Sequence, residues 1–242
     1  DMWDWKNDGN PWGNDEYDNT APWICYIFEI KKVNINDGVT SIGENAFSGA
    51  NVNVIFESIT VPESVAKIKG TLRAKLLNYN AADAEFLGSI VSAETINIGP
   101  KVKTIECGYE GIISEVYEEP IYLWGMNEIK RFNVDPENPY YSSDENGILF
   151  NKDKTELMIY PRLRTDEEYT VPESVKSIKA MAFLFNDNLE KIELSNVERI
   201  GFAAFMGCEN LIDITLPDSV REIDMFALNG TARAKKVAEA AM

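Results

Sequence analysis

Leu189-Glu-Lys-Ile192-Glu-Leu194-Ser-Asn-Val197-Glu-Arg-Ile200-Gly-Phe-Ala-Ala204-Phe205-Met-Gly-Cys208 is followed by Leu211-Ile-Asp-Ile214-Thr-Leu216-Pro217-Asp-Ser-Val220-Arg-Glu-Ile223-Asp-Met-Phe-Ala227-Leu228, and the two stretches share one pattern. Each opens with L-x-x-I-x-L, whose alternating end reads as a short half-buried strand. A V-x-x-I pair follows. That pair recurs at Val39/Ile42, Val65/Ile68, Val102/Ile105, Val175/Ile178, Val197/Ile200 and Val220/Ile223, and the last three pairs are 22 and 23 residues apart. Self-similarity at such a period predicts a stacked repeat, a solenoid in which neighbouring coils bury what no single coil can bury alone.

Two further features keep register with these pairs. Pro62, Pro172 and Pro217 come directly after the last inward strand residue. Proline has no backbone donor and a fixed φ, so it ends the strand there. Four residues after Ile42, Ile178, Ile200 and Ile223 comes an alanine (Ala46, Ala182, Ala204, Ala227), then Phe47, Phe183, Phe205 or Leu228. This segment reads as a short helical turn whose ring fills the space between coils, a burial worth about 1.5–3 kcal/mol. Three residues on stand Ala50, Asn186 and Cys208, a small or weakly polar position stacked coil on coil.

These residues resemble the leucine-rich repeats of the BspA-like family of bacterial surface proteins. Asn138-Pro-Tyr-Tyr-Ser-Ser143, with Asn146-Gly-Ile-Leu-Phe-Asn-Lys-Asp-Lys-Thr155 and Leu157-Met-Ile-Tyr-Pro161, resembles the family's hairpin insert. Ala21-Pro-Trp23, Ile30-Lys-Lys-Val33 and Asp37-Gly-Val-Thr-Ser-Ile-Gly43 resemble the segment before its first repeat. The resemblance covers residues 20–70 and 129–230. It implies an α/β solenoid: a right-handed superhelix with one strand per repeat of about 22–26 residues and short helical turns on the other side. It also implies an extracellular or cell-surface location and a role in adhesion or protein interaction. It supplies no catalytic residue.

We divide the chain, as one elongated domain, into an N-terminal cap (1–28), first repeats (29–70), a degenerate helical and irregular region (71–128), a repeat with a hairpin insert (129–170), regular repeats (171–230) and a terminal helix (231–242). The cap is rich in tryptophan (Trp3, Trp5, Trp12, Trp23), which a sugar-binding platform would also use. Residues 71–93 hold Leu, Ala, Lys and Glu without β-branched runs and read as helix broken near Asn78. Gly108, Gly111, Pro120 and Gly125 mark a long loop.

The net charge of −17 disfavours nucleic acid and anionic membranes as partners. No run of apolar residues is long enough to span a bilayer. The start at Asp1, in mid-motif, reads as a mature fragment, so the lack of a leader is no argument against secretion. Cys25, Cys107 and Cys208 have no metal-site spacing. Cys208 reads as a buried structural thiol, and Cys25 could pair with Cys107 only if the middle folds back on the cap.

There is no histidine, so triads and most zinc sites are excluded. Forty Asp and Glu residues make carboxylate pairs inevitable and uninformative. Asp135-Pro-Glu-Asn138 with Asp144-Glu-Asn146, and Asp4, Asp8, Asp15 and Asp18, could offer calcium oxygen ligands but lack the spacing of a calcium loop. We therefore expect no enzyme, no cofactor and no metal.

Outward strand positions form the candidate binding face. One column runs Asn34, Thr60, Asn97, Asn133, Thr170, Glu193, Thr215. Beside it stand Lys32, Ser58, Thr95, Arg131, Glu168, Lys191 and Asp213. The candidate residues are Asn34, Thr60, Asn97, Arg131, Asn133, Thr170, Lys191, Glu193, Asp213 and Thr215, with a host or bacterial surface protein or glycan as the expected partner. Two other readings stand beside this one: threonine and asparagine chosen merely for a solvated strand, and a structural spacer with no ligand of its own.

Overall fold

Ile59, Leu77 and Ile96 sit opposite one another on neighbouring parallel strands and are buried. Registers of this kind recur in each unit described below and make each a stack of parallel β-coils, a β-solenoid. The computed structural model describes residues 26–43, 46–47, 54–86, 91–104 and 128–232. The proposed cap up to Cys25, Ala50, the 106–127 loop, Cys107 and the terminal helix beyond Ala232 lie outside these residues. The chain falls into two compact units, Asp1–Met126 and Asn127–Met242.

In the first unit the long ladder is β1 (Lys32–Asn34), β3 (Phe56–Val61), β5 (Leu72–Tyr79) and β7 (Val91–Ile98), all parallel. A second ladder joins β2 (Ser41–Ile42), β4 (Lys67–Ile68) and β6 (Glu85–Phe86). Each coil thus gives two strands, not one: the alternating strand and the end of V-x-x-I.

The helix expected over 71–93 is not there. The segment holds β5, β6 and the start of β7 instead. Leu72, Ala74, Leu77 and Tyr79 point inward and are buried against β3 and β7. The helix-forming composition is overridden because β3 offers an open parallel edge and an apolar face, and tertiary pairing outweighs a few tenths of a kcal/mol per residue of propensity. Matched positions advance from Val33 to Ile59 by 26 residues, then from Ile59 to Leu77 by 18 and from Leu77 to Ile96 by 19. The two short coils lack the Ala-Phe segment: only Lys69, Gly70 and Thr71 separate β4 from β5.

In the second unit β12 (Glu168–Thr170), β14 (Lys191–Glu193) and β16 (Asp213–Thr215) form one parallel ladder. The other contains β13 (Ser177–Ile178), β15 (Arg199–Ile200) and β17 (Glu222–Ile223). They are preceded by β8 (Arg131–Val134), β9 (Tyr141–Ser143), β10 (Leu149–Asn151) and β11 (Glu156–Ile159). The expected hairpin is β10–β11, and β9 adds a third antiparallel strand. Strand β11 then pairs parallel with β13, Leu157 opposite Ile178. The hairpin therefore occupies the place of a V-x-x-I strand.

The Ala-Phe segments are not helical turns, and no α-helix of a full turn occurs among the described residues. Their N–H groups are used alternately. Ala182, Leu184 and Asn186 donate to carbonyls three residues back. Met181, Phe183 and Phe185 donate instead to Phe202, Ala204 and Met206 of the next coil. A helix would keep every donor within its own segment, so cross-coil bonding and helix exclude each other here. The backbone accommodates this with left-handed residues at Met181 and Phe185, at Ala203 and Gly207, and at Phe226 and Gly230. A side-chain Cβ at Gly207 would lie 2.3 Å from the Phe185 ring, so glycine is required there for space as well as for φ.

The rings do fill the space between coils. Phe183 stacks on Phe205, and Tyr160 stacks on Phe183, each pair 4.8 Å between centroids. Tyr160 thus supplies from the hairpin the ring that a regular coil would supply. Its hydroxyl donates to Asp166 at 3.0 Å, and Arg164 donates to the same carboxylate at 2.6 Å while lying over the Tyr160 ring. Burial pushes the Asp166 carboxyl up, but the hydrogen bonds from Arg164 and Tyr160 hold it below the usual carboxylate range.

Cys208 is a buried free thiol that donates to the Phe183 carbonyl at 2.9 Å. It shares its stacked position with Asn186 and with Thr231, and all three are buried.

Two outcomes follow. Phe205→Ala should cost about 3–5 kcal/mol in denaturant unfolding, whereas Phe226→Ala, at a half-exposed ring, should cost less than about 1. Burial raises the Cys208 thiol from 9.0 to about 12. A raised folded pKa means a stabilising contribution that is complete below pH 9 and lost as pH climbs toward 12. The thermal midpoint should fall across that window, and Cys208→Ala should flatten the fall.

Candidate functional site: the outward strand faces

The outward side chains follow from strand alternation. In each long strand the residue between two buried ones faces away from the core. The candidate positions therefore do stand in columns, but within each unit the columns behave differently.

In the first unit Asn34 pairs across to Thr60, Thr60 to Asn78 and Asn78 to Asn97. Asn78 is a functional-column residue that the sequence reading missed, because its segment was assigned to helix. The signal for it was the Leu72, Ala74, Leu77, Tyr79 spacing. Asn97 donates through Nδ2 to Asn78 Oδ1 at 2.7 Å, and Asn78 donates to Thr60 Oγ1 at 3.1 Å. Thr60, Asn78 and Asn97 are half-buried, and Asn34 is exposed. This column is largely spent on holding coil to coil.

In the second unit Arg131 and Asn133 are exposed, and the Arg131 guanidinium donates to Asn133 Oδ1 at 3.1 Å and to the Glu145 carbonyl at 3.4 Å. The remaining candidates lie on β12, β14 and β16. Thr170, Glu193 and Thr215 are matched across the ladder, as are Glu168, Lys191 and Asp213, and all six are exposed. Lys191 donates to Glu168 at 3.2 Å. That bond and the charge of Glu168 raise the ammonium pKa, against a small opposing desolvation, with Asp213 and Glu193 adding to the rise. The carboxylates of Glu193 and Asp213 make no hydrogen bond or ion pair with any described residue. This face offers exposed hydroxyls, carboxylates and one ammonium in rows one strand spacing apart.

Among the described residues no group of three His, Cys, Asp or Glu side chains is placed to hold a metal. Of the acidic stretches considered for calcium, Asp135 Oδ1 accepts the Glu137 N–H at 2.9 Å and Asp144 Oδ1 accepts the Ile148 N–H at 2.8 Å. Asn138 Oδ1 accepts from Tyr140 and Tyr141. These side chains make turns. Asp4, Asp8, Asp15 and Asp18 lie outside the described residues. No helix of the described residues is long and apolar enough to cross a membrane.

Comparison with known proteins agrees with the architecture. Comparison with curated proteins gave no match. A crystal structure of a leucine-rich repeat protein from Eubacterium ventriosum is similar over 84% of this chain and 58% of that one, at 26% identity and a TM-score of 0.51. This chain thus spans little more than half the length of that protein. The pneumococcal vaccine antigen PcpA is similar at 20% identity with a TM-score of 0.49, covering 84% of this chain and 70% of that one. A leucine rich cell surface protein from Faecalibacterium prausnitzii is similar at 16% identity with a TM-score of 0.37, over 84% and 71%. The profile of the BspA type leucine rich repeat region matches residues 24–76 and 165–238 in six copies, more than half of the 242 residues. On these repeats, the chain belongs to the BspA type leucine-rich repeat family.

Proposed function

We propose that this chain is a non-enzymatic, surface-located or secreted binding protein that engages a protein or glycan through the outward face of β12, β14 and β16. The observation that carries this reading is the contrast between the two faces. In the first unit's column Thr60, Asn78 and Asn97 are half-buried and hydrogen-bonded to one another, whereas the second unit's Thr170, Glu193, Asp213 and Thr215 are exposed. Family membership supports the surface location and the adhesive role. Small hydroxyls and carboxylates suit adaptable hydrogen bonding. The face has no aromatic or arginine anchor of the kind that dominates tight interfaces, so binding is weak per site and depends on multiple engagement.

The same lack of anchors favours a second reading, a spacer that presents other parts of a surface protein and has no ligand. The two readings part in one experiment. The purified chain is screened against host extracellular-matrix proteins, mucin and a glycan array, beside a Glu193→Lys/Asp213→Lys variant and an Asn78→Leu variant. On the binding reading, the charge reversal reduces binding by about tenfold or more, as loss of a few polar contacts does. Asn78→Leu should instead cost about 1 kcal/mol of stability and leave binding intact. A folded chain that binds nothing, or binds equally well after charge reversal, sinks the proposal and leaves the spacer.

A further inference from the structure

Three places among the described residues put Asp or Asn directly before a glycine: Asp37-Gly38, Asn146-Gly147 and Asn229-Gly230. Asp37, Asn146 and Asn229 are all exposed, and the three glycines have positive φ of 93°, 77° and 78°. Such a pair carries a latent reaction. The glycine nitrogen is able to attack the side-chain carbonyl carbon of the residue before it, because no Cβ stands in the way. The attack needs that N–H free to lose its proton. An N–H bonded within an ordered turn reaches this state only when the turn opens.

The structure separates the three pairs. The Gly38 N–H donates to Ser64 Oγ at 2.9 Å. The Gly147 N–H donates to the Asp144 carbonyl at 3.0 Å, and the Asn146 carbonyl accepts from Arg164. A side chain at Gly147 would lie 2.4 Å from Arg131 Cβ, so this turn is also packed against β8. The third pair differs. The Gly230 N–H meets no acceptor among the described residues, and the Asn229 side chain makes no hydrogen bond to any of them. The backbone on either side is nonetheless held. Asn229 donates to the Phe226 carbonyl at 2.9 Å and Thr231 to the Leu228 carbonyl at 3.3 Å. Here alone the nucleophile and the carbon it would attack are adjacent and both unbonded to described residues.

We propose that Asn229 is a self-modification site, converted through ring closure with Gly230 into aspartate and isoaspartate. The Gly230 nitrogen bonds to Asn229 Cγ. The side-chain amide leaves as ammonia, carrying the proton that the Gly230 nitrogen gave up, and a cyclic imide remains. Water then adds to one of the two imide carbonyls. One opening gives aspartate. The other gives isoaspartate, in which the chain runs through Cβ and Cγ and the former backbone carbonyl becomes a free carboxylate. That carbonyl is the one that accepts the Gly207 N–H at 2.9 Å. The bond joins the turn segments of two successive coils, so the modification loosens their seam as the protein ages.

The test incubates the purified full chain at mildly alkaline pH, folded and in concentrated urea, and follows Asn146 and Asn229 by peptide mapping and mass spectrometry. In urea the two Asn-Gly pairs should convert at similar rates. In the folded chain Asn229 should stay close to its urea rate, and Asn146 should convert at least about tenfold more slowly. Hydrogen exchange read by NMR then compares fresh and aged protein. The Gly207 amide should exchange about tenfold faster after ageing, while Phe183 stays protected and reports an intact stack. An aged Asn229→Gln variant, whose longer side chain closes the ring far less readily, should keep the fresh pattern. Two results overturn the proposal. Asn229 converting as slowly as Asn146 in the folded chain removes the site. A converted Asn229 with Gly207 as protected as before removes its effect on the seam.

Discussion

Each coil has an apolar inner side and two or three short strands' worth of backbone groups that it cannot satisfy by itself. Stacking on the next coil supplies both needs at once, and every other feature depends on that. A strand of two residues such as Arg199–Ile200 has no stability alone. It persists because its neighbours on both sides are placed by longer strands, by the ring stack and by the turn segment. The matched positions, Ile59 with Leu77 with Ile96 and Tyr169 with Ile192 with Ile214, are the fixed points. The chain between them is free to vary in length, which is why coils of 18 and 26 residues stand in one ladder.

The same requirement decides what happens at the irregular places. The hairpin does not interrupt the second unit, because β11 and Tyr160 reproduce the two things that the next coil needs, a parallel edge and a ring. Surface charge follows the stack as well. Lys176 with Glu198, Lys191 with Glu168 and Arg199 with Glu222 join successive coils, and such exposed pairs each contribute little.

Much of this was readable from the residues. V-x-x-I, the strand prolines and the Ala-Phe pairs placed the coils of residues 171–228, the buried rings and the buried Cys208 thiol correctly. Two things were not readable. The 71–93 segment lacks the V-x-x-I signature and has helix-forming side chains, and only an adjacent open strand edge makes it pair. The Ala-Phe segment looks helical because the residues favour it locally. Its cross-coil donors are a property of two coils together, and no window of one coil contains them. At the candidate face, alternation gave the outward positions of separate ladders, Asn34, Thr60 and Asn97 in the first unit and Thr170, Glu193 and Thr215 in the second. It could not tell that Asn97 spends its amide on Asn78, whereas Glu193 stays exposed without a hydrogen bond to any described residue, because that depends on which side chains meet across coils.

The bonds between coils of the second unit lie along the direction in which its coils follow one another, and this has a mechanical consequence. Tension applied along that direction acts on one inter-coil seam after another, not on all the bonds of a sheet in shear together. Coils then peel away singly at modest force, each releasing some 22 or 23 residues of slack. A detached coil can reseat without the others having lost their places.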